Sequence, residues 1–222
     1  ALSSAASDVY KRQIGVSAGV SYGPLGCTHT TMHDFASMRA LPNLTILAPC
    51  DAVQTEYLTD LLCQFTGPVY MRMGRGDVPP VYEAGEKFEI GKIKTVCEGT
   101  DATIIACGEM VAPAKKAAEL LQAEGISVRV LDCFTIQPMD TKTVEKALRE
   151  TRAVVTVEEH STRGGLGEAV SHIAAELRGS APMRLLGLPE EVVIGKSQEL
   201  FAYYGLTPEG ISAAIKERLE CE

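Results

Sequence analysis

Strand-like runs alternate with amphipathic helical runs along most of this chain, and that alternation narrows the folds open to it. The second half shows it most regularly. Residues 103–107, Thr-Ile-Ile-Ala-Cys, make the short continuous apolar run of a buried strand. A helical stretch follows, with Ala114, Ala117, Ala118 and Leu121 on one face and Gly125 beyond its end. Residues 126–131 read as a strand, and residues 140–149 as a helix with Val144, Ala147 and Leu148 inward. Residues 153–157 are a further strand, after which Leu166, Val170, Ile173 and Leu177 recur at helical spacing before Gly179. Residues 183–188 are a last strand. Thr207-Pro208 caps and opens a final helix through Ile211, Ala214, Ile215 and Leu219. Such alternation implies an α/β fold, with parallel strands joined by helical crossovers.

The first part is shorter. Residues 44–48 read as a strand that Pro49 ends. Asp51 can cap the next helix, with Gln54 reaching back as in a capping box. Val53, Tyr57, Leu61 and Phe65 give that helix an apolar stripe, Gly67-Pro68 breaks it, and residues 69–72 are a strand. Residues 74–85, rich in Gly and Pro, read as a linker. The chain thus divides into an incomplete α/β unit over residues 14–85 and a complete one over residues 86–222. Residues 1–13 show neither period and are expected to be a non-native or disordered tail, similar to translated adapter sequence.

Composition excludes some classes. Two modest domains fit into 222 residues, with 45% hydrophobic and 23% charged side chains for core and surface. A net charge of -8 argues against a general binder of nucleic acid or anionic membrane, though not against a local basic pocket. No apolar run nears the roughly 20 residues that span a bilayer. Residues 1–13 lack the apolar core of a secretory signal. Seven cysteines, an odd count with no C-x-x-C pair, read as free thiols in a reducing, cytoplasmic setting.

The chemistry-bearing candidates are few. Gly23-Pro24-Leu25-Gly26-Cys27-Thr28-His29 delivers an imidazole on a glycine-rich loop at a sheet edge, where chemistry tends to sit. By itself, His29 would read as a histidine bonded to the backbone. Arg75 follows a strand in a glycine-rich turn, and its fork suits a phosphate; the plain alternative is a solvated loop arginine. Arg72 reads as a structural ion-pair partner. His33 stands four residues after His29, yet no third ligand stands at a matching offset, so no metal site is expected. His160, in Glu158-Glu159-His160-Ser161, looks like an acid/base group, and His172 reads as solvated. Gly164-Gly165-Leu166-Gly167 before a helix could hold an anion, but a dinucleotide site would need that pattern after the first strand. A tight strand-to-helix turn is the better reading.

Five stretches, in this order and spacing, carry a resemblance. They are residues 19–29, ending in the His29 loop, then Arg39-Ala40-Leu41-Pro42-Asn43 and residues 67–76 from Gly67-Pro68-Val69-Tyr70 to Gly76. Val157-Glu158-Glu159-His160-Ser161 with Gly164-Gly165-Leu166-Gly167, and Tyr204-Gly205-Leu206-Thr207, complete the set. Together they resemble the C-terminal subunit of split transketolases, within the thiamine-diphosphate enzyme superfamily. The resemblance implies that residues 14–85 are the back half of a pyrimidine-binding domain with its linker. Residues 86–222 would be a transketolase C-terminal domain, a three-layer α/β/α unit that mainly builds subunit contacts. It implies transfer of a two-carbon ketol unit between sugar phosphates. His29 would be catalytic and touch the sugar, Arg75 would hold the sugar phosphate, and His160 would be an interface or structural element. Thiamine diphosphate and magnesium are the implied cofactors, bound mainly by a partner, the N-terminal subunit. Cofactor-binding residues are expected upstream of Ile14 and on that partner chain. A homo- or hetero-oligomer is implied, with no nucleic-acid or membrane partner.

Departures from the family pattern bear on the substrate. Val16-Ser17-Ala18 stands where transketolases often carry Thr-His-Asp, and Gly23-Pro24-Leu25-Gly26 where they often carry Gly-Glu-Asp-Gly. The residues replaced would touch a sugar phosphate and a donor hydroxyl. Two enzyme alternatives are a 2-oxoacid dehydrogenase β subunit and a deoxyxylulose-phosphate synthase fragment. A non-catalytic assembly or binding module is the alternative of another class.

Overall fold

The computed structural model describes residues 11–220. Two sheets form. The first sets β1 (Arg12–Val16), β3 (Val69–Met73) and β2 (Thr45–Leu47) side by side in parallel. The second has the order β4 (Lys94–Cys97), β6 (Val128–Asp132), β5 (Ala102–Ala106), β8 (Ala153–Ser161), β9 (Met183–Leu188), parallel except for β4. The helices are α1 (Asp34–Arg39), α2 (Ala52–Gln64), α3 (Val111–Ala123), α4 (Thr141–Glu150), α5 (Leu166–Glu176), α6 (Ser197–Tyr203) and α7 (Pro208–Glu220).

The period of two along each strand builds three layers. Ile104, Val130 and Val155 join one cluster with Ala114, Ala117 and Leu121 of α3 and Ile211 and Ile215 of α7. Their neighbours Ile105, Leu131 and Val154 point the other way, to Val144 and Leu148 of α4 and Leu166, Val170 and Ile173 of α5. The first sheet feeds the same two clusters: Leu47 and Met71 with Leu58 and Leu62 of α2 join the first, Ile46 and Tyr70 the second.

The two units are therefore not self-contained. A short strand, β7 (Thr135–Gln137), leaves the second unit and pairs antiparallel with β2 in the first sheet. Three residues carry no readable period, so periodicity could not reveal this strand.

Other boundaries move for physical reasons. β1 begins at Arg12, before the expected boundary at residue 14: Arg12 pairs with Val69 and Gln13 with Tyr70. The expectation of a tail over residues 1–13 thus fails at Arg12 and Gln13, polar residues of an edge strand that a hydrophobic period does not register. Residues 1–10, where the rest of that expectation falls, lie outside the described residues. Along the same edge, Ile14 and Val16 remain 44% and 62% exposed, so β1 offers an uncovered apolar rim. β8 runs on to Ser161, with all nine residues buried, because its polar end is paired. In α2 the buried stripe is Gln54, Leu58 and Leu62, while Val53, Tyr57, Leu61 and Phe65 are only partly buried. Gln54 belongs inside because its amide is satisfied there: Oε1 accepts from the Cys50 amide at 2.8 Å and Nε2 donates to Asp132 at 2.7 Å.

Asp51 fastens the linker. One carboxylate oxygen accepts from the Gln54 amide at 2.8 Å, capping α2; the other accepts from the amides of Val81 and Tyr82 at 2.8 and 2.9 Å. The Tyr82 hydroxyl donates to Asp132, whose carboxyl burial pushes up to about 7. Removing a cap costs about 0.5–2 kcal/mol, and two more amides would lose their acceptor. Asp51→Ala should therefore lose about 2–4 kcal/mol in urea unfolding, and Asp51→Asn clearly less. Equal losses for the two variants would mean that the side-chain oxygen is not what holds cap and linker.

Candidate functional site

The His29 loop begins where β1 ends. Ser17 takes φ 61° and still donates its amide to Met73 at 3.1 Å, and Gly19 takes φ 68° and pairs with Thr31. At Gly19 a side chain would overlap the Glu159 carboxylate, so only glycine fits. The chain then coils into two short 3-10 turns over Gly23–Thr28, kinked at Gly26, which takes φ 64°.

The second unit anchors this loop from below. The Val20 amide donates to Glu159 Oε1 at 2.7 Å, the Ser197 hydroxyl donates to the Val20 carbonyl at 2.9 Å, and the Gly195 amide donates to the Gly23 carbonyl at 3.4 Å. A mobile histidine could not position a substrate; this loop is tied at three points.

At the loop's end His29 is exposed, with its Nδ1 2.9 Å from the Thr28 hydroxyl. Arg75 is exposed on the turn after β3. Between them lies the half-buried ring of Tyr22, 4.5 Å from the Arg75 guanidinium carbon and 5.9 Å from the imidazole centre. The structure thus brings together two residues that stand 46 positions apart in the chain. A cleft of about 900 Å³ opens beside Arg75, with Ser21, Met110, Lys115, Ser197 and Phe201 also among its lining.

Two further candidates, Arg72 and His160, belong to a buried seam between the units. Arg72 is buried beneath the loop, 3.6 Å from Asp34 and 4.0 Å from Glu159, and it donates to the Glu159 carbonyl. Its guanidinium also lies over Phe35 at 4.8 Å. Tyr70 donates its hydroxyl to Asp34 at 2.8 Å. Burial pushes the Glu159 carboxyl up to about 7, against the pull of Arg72. Arg72 is therefore the counter-charge of the seam, the structural ion-pair partner expected at that position.

His160 is fully buried and stacks on Phe35 at 5.0 Å. Its Nδ1–H donates to the Ser161 carbonyl at 2.6 Å, and its Nε2 accepts from the Ala36 amide at 3.3 Å. Both ring nitrogens are used, and burial pushes the imidazole down to about 4. This ring joins the units and has no face for a substrate. His33 is exposed at the start of α1, with its ring 6.3 Å from that of His160, and His172 is exposed beside Glu176.

The glycine-rich turn before α5 does hold an anion, but an internal one. The two Glu158 oxygens accept from the Leu166 and Gly167 amides, both at 2.7 Å, at the helix N-terminus. Burial pushes Glu158 up to about 7 against those two donors. A side chain at Gly165 would collide with this carboxylate. Arg39 closes the turn from the first unit, donating to the carbonyls of Gly164 and Gly165 at 2.6 and 3.0 Å.

Among the described residues, no three His, Cys, Asp or Glu side chains are grouped to hold a metal ion. The buried carboxylates Asp34, Glu158 and Glu159 are all engaged within the seam or the helix cap. The described residues therefore do not by themselves fit a magnesium diphosphate group. No helix among them is long and apolar enough to cross a membrane.

Two family models match. Residues 2–80 match the transketolase pyrimidine-binding domain, and residues 91–211 match the transketolase C-terminal domain. The chain belongs to the transketolase family. The first match starts at residue 2, inside the stretch that periodicity alone set aside as a tail. It covers the first sheet's parallel strands with both His29 and Arg75, whereas Glu158, Glu159 and His160 fall within the second.

Among relatives, the chain is 48% identical over 206 residues to a subunit of the apulose-4-phosphate transketolase of Phocaeicola vulgatus, covering 92% of this chain and 65% of that protein. Among solved structures, it resembles a split-gene transketolase in an inactive tetramer of β subunits, with TM-score 0.84 and 38% identity, over 94% of this chain and 66% of that one. A transketolase variant from Pichia stipitis shares the fold at TM-score 0.76 and 23% identity, over 98% of this chain and 31% of its own. The chain thus spans about two thirds of the length of the subunits that it matches.

Tyr22 and Glu159 were not legible as parts of this site. One is a lone aromatic in a glycine-rich loop, and the other lies 130 residues beyond His29. Only the fold brings Glu159 to the loop and Arg75 to the Tyr22 ring.

Proposed function

We propose that this chain is the sugar-binding side of a transketolase C-terminal subunit, moving a two-carbon ketol unit between sugar phosphates. One observation carries the reading: His29 and Arg75, from separate segments, meet at one half-buried ring, and a cleft opens on the Arg75 side. In this reading His29 Nε2 faces the ketose oxygens and is the nitrogen free to exchange a proton with them, since Nδ1 is engaged by the Thr28 hydroxyl. Arg75 grips the sugar phosphate with its planar fork. The seam beneath, Arg72 with Asp34 and Glu159, keeps the loop rigid.

When bound, thiamine diphosphate supplies the carbanion-stabilising chemistry. Its diphosphate and magnesium belong to the N-terminal partner subunit, and its aminopyrimidine to residues preceding β1. The working unit is then an oligomer of both subunits in the cytoplasm. The name of the Phocaeicola relative, an apulose-4-phosphate transketolase, supports a phosphorylated ketose as the donor class.

Reconstitution tests the reading. The chain alone should not transfer ketol units from xylulose 5-phosphate to ribose 5-phosphate. Mixed with an N-terminal transketolase subunit, it should do so with a phosphorylated ketose. Turnover by the lone chain, or a well-formed but inert pair across phosphorylated ketoses, would overturn the proposal.

A further inference from the structure

We propose that Tyr22 is the positioning residue that sets the spacing of His29 and Arg75, through one ring that both side chains touch. This inference rests on the reading of those two residues as sugar and phosphate contacts.

The geometry is specific to each neighbour. The Arg75 guanidinium carbon lies over the Tyr22 face, 4.5 Å from its centre, at a cation–π distance. The His29 ring approaches at 5.9 Å with the planes 62° apart, an edge arrangement. One ring thus sets two directions at once.

What the ring leaves free matters equally. Among the described residues, no carboxylate pairs with the Arg75 guanidinium. A carboxylate would occupy the guanidinium fork, whereas an aromatic face restrains the plane and leaves its N–H donors open to a phosphate. His29 is treated alike: the Thr28 hydroxyl takes Nδ1, and Tyr22 contacts the ring without consuming Nε2. Tyr22 itself is well founded. Its carbonyl accepts from the Leu25 amide at 2.8 Å, and the residues on either side are pinned by Ser197 and Gly195. The ring therefore transmits the rigidity of the second unit to both exposed side chains.

The test uses the assembled enzyme with Tyr22→Leu, Tyr22→Phe and Arg75→Ala. Tyr22→Leu should raise KM for a phosphorylated ketose about 2- to 5-fold more than for the unphosphorylated one, the worth of one exposed cation–π contact, and lower kcat on both, because His29 loses the same ring. Tyr22→Phe keeps the aromatic face and should restore the wild-type KM. In the Arg75→Ala background, Tyr22→Leu should add no further phosphate-dependent loss. If Arg75→Ala separates the two ketoses but Tyr22→Leu does not, or if Phe fails to rescue, the role given to Tyr22 is wrong while the site reading stands. If Arg75→Ala itself does not separate them, the site reading falls and this inference falls with it.

Discussion

His29→Ala in the assembled enzyme should slow ketol transfer by roughly 10²–10³-fold while leaving thiamine diphosphate affinity nearly unchanged, the loss expected for one positioned donor to developing oxygen charge. The reason is positional. His29 ends an exposed loop whose backbone is tied to Glu159, Ser197 and Gly195, so removal of the imidazole should not move its neighbours. Thr28 holds Nδ1, which leaves Nε2 as the atom offered outward. Arg75→Ala should behave differently, raising KM for phosphorylated ketoses and sparing unphosphorylated ones, because its fork would meet only the phosphate. Steady-state kinetics on both ketose classes, with cofactor affinity from titration calorimetry, separates the two roles. Equal and small effects would show that neither residue lines the donor site.

Arg72→Met should be the most destabilising substitution at the seam, by about 3–5 kcal/mol, because it leaves two buried carboxylates without their cation. Asp34 lies 3.6 Å and Glu159 4.0 Å from this guanidinium, and both are buried. A loss of that size is a large part of the roughly 5–15 kcal/mol that holds a domain folded. The pH dependence distinguishes this cause from lost packing. Glu159 already has a folded-state pKa raised to about 7, with Arg72 pulling it down; without Arg72 it rises further. A carboxyl raised in the folded state contributes stability that is present below its unfolded pKa and lost as pH rises through the folded value. The part of the variant's deficit due to Glu159 should therefore be largest near about pH 8 and shrink toward about pH 5. Thermal melts of both proteins across that range would show it. A deficit independent of pH would assign the loss to packing alone. Adding Asp34→Asn and Glu159→Gln to Arg72→Met should recover part of the stability, since no buried charge is then left unpaired.

The seam explains why so much of the molecule's organisation was invisible beforehand. Glu158, Glu159 and His160 break the apolar run of β8, so the strand looked five residues long when it is nine. Each is buried only because a partner outside the strand satisfies it: the α5 amides of the next turn for Glu158, and the distant Arg72 and Ala36 amide for Glu159 and His160. Arg39 is similar, for its targets at Gly164 and Gly165 lie more than 120 residues away. Gln54 took a place in the buried face of α2 that a search for apolar residues assigns to its neighbours.

Local chemistry was legible because it acts within a few residues. The α/β class followed from apolar periods that the longer strands and helices carry alone, and the structure forms each strand so read, adding β1, β4 and β7. The cap at Asp51, the first-turn proline at Pro208 and the left-handed glycine at Gly125 are likewise consequences of backbone sterics and nearby donors. The order of the motifs pointed to the family, and it marked His29 and Arg75 as residues of interest. Tertiary structure alone decided the rest: that β7 crosses into the first sheet, that Glu158 fills its own chain's anion cradle, and that one tyrosine ring lies between His29 and Arg75. The β7 pairing joins Ile46 to Gln137 and the aromatic contact joins Tyr22 to Arg75, placements of distant segments that no period, cap or turn in either segment encodes.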